Sequence, residues 1–246
     1  MVIVNRGGVK FGVEIEIGTH RGMTRESRRT AETLGWAIVD DGSVRTYFSQ
    51  ADEYRSGVYD LRDFARFKKD VKRLAKYFGE YNTSMGYHVH VSFADRQRYT
   101  QIFCNSFLMA FLDALVEYSK TLPLPKRKTL LDRWHNEYCR VRYSKDYFEG
   151  LRGDTRYRAI NYLYAWHRHG TTEFRIFPSS LSAKELIGYT RFTLEFILDW
   201  VKNNPIENNV EAEKEWEKIK QVVKEEVEAT PIKKEIGGIK KCALHG

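Results

Sequence analysis

Apolar and polar residues alternate with different periods along this chain, and each change of period predicts an element. In "VKFGVEIEIG" (9–18) the alternation is strict, with Val13, Ile15 and Ile17 on one side and Glu14 and Glu16 on the other. A period of two belongs to a β-strand, whose successive side chains point to opposite faces. "MGYHVHVSF" (85–93) repeats the pattern, with Val89, Val91 and Phe93 set against His88, His90 and Ser92. "TTEFRIF" (171–177) does so again, with Phe174 and Ile176 opposite Glu173 and Arg175. Two further extended stretches are expected around "WAIVDDGSV" and "DEYRSGVYD".

Helical periods fill the intervals. A helix is predicted from Thr24 to about Leu34. A second is capped by Asp60, carries Leu61, Phe64, Ala65, Val71, Leu74, Ala75 and Phe78 at 3.6-residue spacing, and stops at Gly79. Its other face, with Arg62, Arg66, Lys69, Lys72, Arg73 and Lys76, reads as a solvated basic surface. Residues 98–119 contain "FLMAFLDALVEY", apolar nearly all round, as in a helix buried between other elements. The interval 123–170 is rich in Arg, Tyr and Trp with weak periodicity and reads as short helices and loops. Ser182 and Glu185 form an S-x-x-E capping box for a helix to about Val201, which Asn203-Asn204-Pro205 ends. The chain thus divides into a body at 1–205 and a charged helix with a loose tail at 206–246. The stripe Trp216, Ile219, Val222, Val223 and Val227 on that helix packs back on the body or joins copies in a homo-oligomer, the first being the expectation.

Composition narrows the class. A chain of 246 residues with 42% hydrophobic and 14% aromatic residues can bury one sizeable core. No stretch approaches the ~20 apolar residues of a membrane span, and the N-terminus lacks a signal-peptide pattern. Three scattered cysteines, Cys104, Cys139 and Cys242, suit reduced thiols in a cytoplasmic protein and offer no CxxC zinc knuckle. The net charge is +8, and because the C-terminal segment is nearly balanced, the basic excess lies in the body. That favours polyanionic partners, either a nucleotide or nucleic acid.

An ordinary half-exposed sheet also alternates, so each strand alone is weak evidence of a site. Taken together, the strands put Glu14, Glu16, His88 and Glu173 on polar faces. If those faces share one sheet, the carboxylates repel unless a cation lies between them. Oxygen-rich donors with an imidazole suit Mg²⁺ or Mn²⁺. Glu53 is a further candidate and Asp41 a weaker one, while Arg175, Arg156 and Arg158 could neutralise phosphate charge. Two other readings compete. One is a metal-dependent hydrolase using His88, His90, His167 or His169, which the carboxylate excess and the missing HExxH disfavour. The other is a nucleic-acid-binding module over Lys126–Arg158, with bases stacked on Tyr143 or Tyr147, which leaves the glutamates unexplained.

"FGVEIE", "GYHVHVS", "RYRAIN" and "TTEFRIFPSSL", in this order, resemble the amidoligase family of the glutamine synthetase and glutamate–cysteine ligase superfamily, from about residue 9 to about residue 202. "MGYHVHVS" is also similar to the G-M-H-x-H-x-S stretch of glutamine synthetases, and "EFRIFP" to their E-x-R-x-P stretch. The resemblance implies an α+β fold with a curved, mostly antiparallel sheet, helices on one side and the site in its concavity. It implies that Glu14, Glu16, His88 and Glu173 are metal ligands and that Arg175 contacts the transferred phosphate. It further implies that His90, Ser92, Arg158 and Asn161 lie near ATP. Glu53 with Ser56 looks like the family's E-x-x-S stretch, more loosely matched, and Glu53 or Asp41 is a candidate base. The implied activity is ATP-dependent joining of a carboxylate to an amine through an acyl phosphate, with Mg²⁺ or Mn²⁺. Small-molecule or peptide carboxylates and amines are then the partners.

Overall fold

The computed structural model describes residues 8–40, 46, 50–94, 98–102, 105–136, 139, 141, 158–161 and 169–205. Its centre is β1 (Val9–Thr19), whose odd-numbered side chains Val9, Phe11, Val13, Ile15 and Ile17 are all buried. At ~1.5–3 kcal/mol for each such side chain taken out of water, this row holds β1 firmly in one register.

β1 is long enough to pair with two strands end to end along each edge. On one side lie β3 (Gln50–Arg55) and β4 (Tyr59–Asp60); on the other lie β6 (Gly86–Phe93) and the short β5 (Phe78–Glu80). β2 (Ala37–Asp40) extends the sheet beyond β3, while β8 (Thr172–Pro178) and then β7 (Ile160–Asn161) extend it beyond β6. Every pairing among the described residues is antiparallel, and the order β2-β3-β1-β6-β8-β7 does not close.

The helices α1 (Thr24–Leu34), α2 (Phe64–Leu74), α3 (Arg98–Ile102), α4 (Asn105–Lys120), α5 (Leu124–Asp132) and α6 (Ala183–Asn203) complete the described fold. Apolar side chains of the sheet meet α2, α4 and α6. Phe11 packs edge-on against Phe67 at 5.2 Å, Phe174 lies tilted against Phe111 at 5.0 Å, and Phe177 stacks on Tyr189 at 4.9 Å. The opposite face of the sheet carries the glutamates and histidines, as the alternation predicts.

Four details depart from the sequence reading. The helix opened by Asp60, whose carboxylate accepts from Arg62 N–H, ends at Leu74 and a following short turn. Phe78 and Gly79 belong instead to β5, because pairing with Gly18 and Thr19 draws that backbone into an extended conformation. On α2 Ala65 is exposed, and Phe67 takes the core position. At α6, Ser182 Oγ accepts from Glu185 N–H as expected, but the Glu185 carboxylate accepts from Ser180 Oγ, which in turn accepts from Ser182 N–H. The cap is therefore relayed through a third residue. Finally, β8 slips register between its pairings with Tyr87 and Val89, so Phe174 and Phe177, three residues apart, both reach the helix layer. Asp41, Cys104, Tyr143, Tyr147, Arg156, His167, Cys242 and the segment 206–246 lie outside the described residues.

Candidate active site

Register brings the polar residues together. Across β1 and β3, Glu16 faces Glu53 and Glu14 faces Arg55; across β1 and β6, Glu14 faces His88. Across β6 and β8, His90 faces Glu173, and across β7 and β8, Asn161 faces Glu173. The row therefore crosses five neighbouring strands, and its members come from sequence segments far apart.

The side chains converge. His88 Nδ1 lies 3.1 Å from Glu14 Oε2 and 3.3 Å from Glu173 Oε1, and its Nε2 lies 3.6 Å from Glu16 Oε1. His90 Nε2 lies 3.5 Å from Glu14 Oε2 and 3.8 Å from Glu173 Oε1, while its Nδ1 is 3.0 Å from Thr171 Oγ1. Arg175 Nη1 donates to Glu173 Oε1 at 2.6 Å, and Asn161 Nδ2 donates to Glu173 Oε2 at 2.9 Å. Arg55, which the sequence reading did not single out, clasps Glu53 at 2.5 Å and approaches Glu14 at 3.8 Å. Glu16, Glu53, His88 and Glu173 are all buried, with 7%, 5%, 1% and 3% exposure.

A second missed residue is Gly86. A Cβ there would lie 2.4 Å from Arg133 Nη2 and 2.7 Å from His88 Nε2, so only glycine leaves room for both groups. Its amide N–H donates to Glu16 Oε2. Gly12, facing His90 across the strands, gives space in the same way to Ser56 Oγ. Ser56 itself accepts from Val13 N–H and donates to Gly57 O, so it closes the β1–β3 edge. Ser92 continues the polar face opposite Lys10, and Arg158 stands just before β7, three residues from Asn161. His169 is exposed, its ring edge-on to His90 at 5.8 Å.

Electrostatics record the crowding. Burial favours the neutral form of Glu14, yet His90 and His88 outweigh it and hold the carboxyl well below its ordinary range. Burial acts likewise on Glu173, where Arg175 and the two histidines prevail and lower it. His90 resists protonation through burial, but Glu14 and Glu173 raise its pKa nonetheless. Glu53 is pushed up to about 8 by burial and by the charge of Glu14, against the pull of Arg55. A region that raises one carboxyl and recruits a proton to an imidazole is short of positive charge.

Two triplets are spaced to hold a cation: Glu14, His90 and Glu173, and Glu14, Glu53 and His88, the donor atoms of each lying within 4.8 Å of one another. Among the described residues, Nε2 of His88 and of His90 are buried and make no hydrogen bond. Were a cation to replace the proton that Glu14 and Glu173 draw to His90, a neutral imidazole held through Nδ1 would offer its Nε2 lone pair as a metal ligand does. This donor set fits a divalent cation, and it adds His90 to the ligand-type residues, where the resemblance implied only proximity to the nucleotide.

Residues 35–197 match the family model described as "Putative amidoligase enzyme", a span that covers β2 to most of α6 and begins after β1. No curated protein matches the chain.

Proposed function

Since the chain belongs to this amidoligase family, whose members are ligases, we propose that it is an ATP-dependent carboxylate–amine ligase with a glutamine synthetase-like catalytic fold. One observation carries the reading: two buried imidazole Nε2 atoms that make no hydrogen bond among the described residues lie on the same sheet face as four glutamates. Imidazole and carboxylate donors brought together in this way are what a divalent cation would engage.

Glu14, Glu16, Glu53, His88, His90 and Glu173 would hold Mg²⁺ or Mn²⁺. Such ions, when bound, neutralise nucleotide phosphates and stabilise charge on oxygens exchanged in phosphoryl transfer. The remaining roles belong to the chain's own side chains. Asn161 holds Glu173, and Glu173 fixes the Arg175 guanidinium beside the carboxylates, where it would meet a phosphoryl group without having to reorganise. Arg55 restrains Glu53, and Gly86 N–H orients Glu16. Ser92 and Arg158 contact the nucleotide more peripherally. The substrate carboxylate oxygen attacks the γ-phosphorus, the bond to the β–γ bridging oxygen breaks, and ADP departs. The amine nitrogen then attacks the acyl carbon, phosphate leaves, and the amine surrenders a proton. Glu53 is the candidate to receive it, through a carboxylate oxygen that no cation holds.

Calorimetric titration with a non-hydrolysable ATP analogue tests this reading. Binding that requires Mg²⁺, disappears with chelator and weakens at least tenfold in Glu14→Gln supports it. Absence of binding with any divalent metal overturns it, and stoichiometric tightly bound zinc in its place would favour a hydrolase.

A further inference from the structure

Among the described residues, Arg133 is a buried arginine of this region that the foregoing chemistry leaves unused. It opens the short turn Arg133–His135 after α5 and is only 4% exposed. Its Nη1 donates to Thr83 O at 3.0 Å, and Cys139 Sγ donates to its own carbonyl at 2.9 Å, so both ends of the residue are tied. Nη2 sits over Gly86, against the point where a Cβ would stand, with His88 Nε2 and Glu16 Oε2 at 2.7 and 3.2 Å from the same point. The guanidinium therefore enters the cluster from the Glu16 side, whereas Arg175 enters beside Glu173.

The two arginines differ in their neutralisation. Arg175 is bonded to Glu173. Among the described residues Arg133 has no carboxylate within ion-pair distance, the charge of Glu16 reaching it from farther off while Arg175 repels it, and its Nε is buried without a hydrogen-bond partner. An unpaired buried guanidinium is costly, and a clasp on the Thr83 carbonyl does not call for one. Asn136 Nδ2 already donates to that same oxygen at 2.9 Å. Two guanidinium groups close enough to repel are tolerable when an anion lies between them.

We propose that Arg133 is a further phosphate-binding residue, which with Arg175 grips the terminal phosphoryl group of the bound nucleoside triphosphate across the carboxylate–histidine cluster. The proposal rests on the ATP-dependent reading above. The planar fork offers Nη2 and Nε to phosphoryl oxygens while Nη1 keeps its bond to Thr83. Gly86 is then the residue that lets this fork reach the cluster at all.

The test compares a non-hydrolysable ATP analogue with ADP, each with Mg²⁺, by calorimetry on wild type, Arg133→Ala and Arg133→Gln. Thermal unfolding checks the fold, and the glutamine variant retains a donor for Thr83 should the alanine variant not fold. The expected result is a loss of at least tenfold in affinity for the triphosphate analogue, with ADP affinity changed less than about twofold. Equal losses for both nucleotides would reduce Arg133 to a structural clasp, and unchanged analogue affinity would remove it from the site. If wild type binds neither nucleotide, the ATP-dependent reading fails and takes this proposal with it. Wild-type binding that the variants leave intact sinks the proposal alone.

Discussion

His88 stands directly opposite Glu14 across β1 and β6, with Nδ1 and Oε2 3.1 Å apart. This pair joins the two cation-type triplets, since Glu14 belongs to both and His88 to one. The centre of the site is thus a cross-strand pair in the middle of the sheet, with rigid backbone on every side.

Shared membership predicts an asymmetry among glutamate variants. In Mn²⁺ titrations followed by electron paramagnetic resonance, Glu14→Gln should weaken every metal site at least tenfold. Glu53→Gln and Glu173→Gln should each weaken a different one. Identical titration curves for the latter two variants would refute a two-site arrangement.

Gly86→Ala should destabilise the protein although alanine is small. Its Cβ would overlap Arg133 Nη2 and His88 Nε2, both of them buried, and relief requires the two side chains to shift. Overpacking of this kind costs ~1–3 kcal/mol. Thermal unfolding should show a loss of several degrees, accompanied by weaker Mn²⁺ binding; an unchanged midpoint and unchanged affinity would contradict the packing described.

Stability of the chelator-treated protein should depend on Glu53 with a definite sign. Its pKa rises from 4.5 to about 8 on folding, so the folded state holds the proton more tightly than the unfolded chain. Its contribution is complete below pH 4.5, declines as pH rises towards about 8, and is lost above that value. Glu53→Gln cannot ionise, so its unfolding midpoint should exceed that of wild type by several degrees at pH 8.5 and converge with it near pH 5. A wild-type advantage at pH 8.5 in metal-free buffer would show that Arg55 outweighs burial and the charge of Glu14.

Arg175→Ala should lower turnover a hundredfold or more while changing affinity for the triphosphate analogue much less. A preorganised donor that acts mainly on developing charge is worth ~10²–10³ in rate. Arg175→Lys should recover only part of this, because an ammonium cannot replace the fork that holds Glu173. Steady-state kinetics on an accepted acid–amine pair give the answer, and near-normal turnover in the alanine variant would remove Arg175 from the chemistry.

Much of the layout is legible in one dimension because the information is local. Period-two alternation marks β1, β6 and β8 and assigns Glu14, Glu16, His88, His90, Glu173 and Arg175 to polar faces without any knowledge of neighbours. The E-x-x-S stretch was legible only by half. Glu53 joins the cluster, whereas Ser56 bonds the β1 backbone, and four letters of sequence do not distinguish those fates. Arg133 was indistinguishable from the other arginines of a weakly periodic stretch. What makes it special is the absence of a side chain at Gly86, 47 residues earlier in the chain.

The sequence by itself determined which residues face together on each strand, because side-chain direction in a strand follows from backbone geometry alone. It also determined the bounds of α1 and the start of α6, whereas β5 falls at an expected helix end and β7 in a stretch read as short helices and loops. Only the tertiary structure decided that the polar faces of β3, β1, β6, β8 and β7 lie on one side of one sheet. Register, the slip opposite His88 and the reach of Arg133 over Gly86 depend on contacts between distant segments, such as Gly86 N–H to Glu16, 70 residues apart. Such contacts are chosen by burial of the shared apolar face, a sum over the whole core that no single stretch contains.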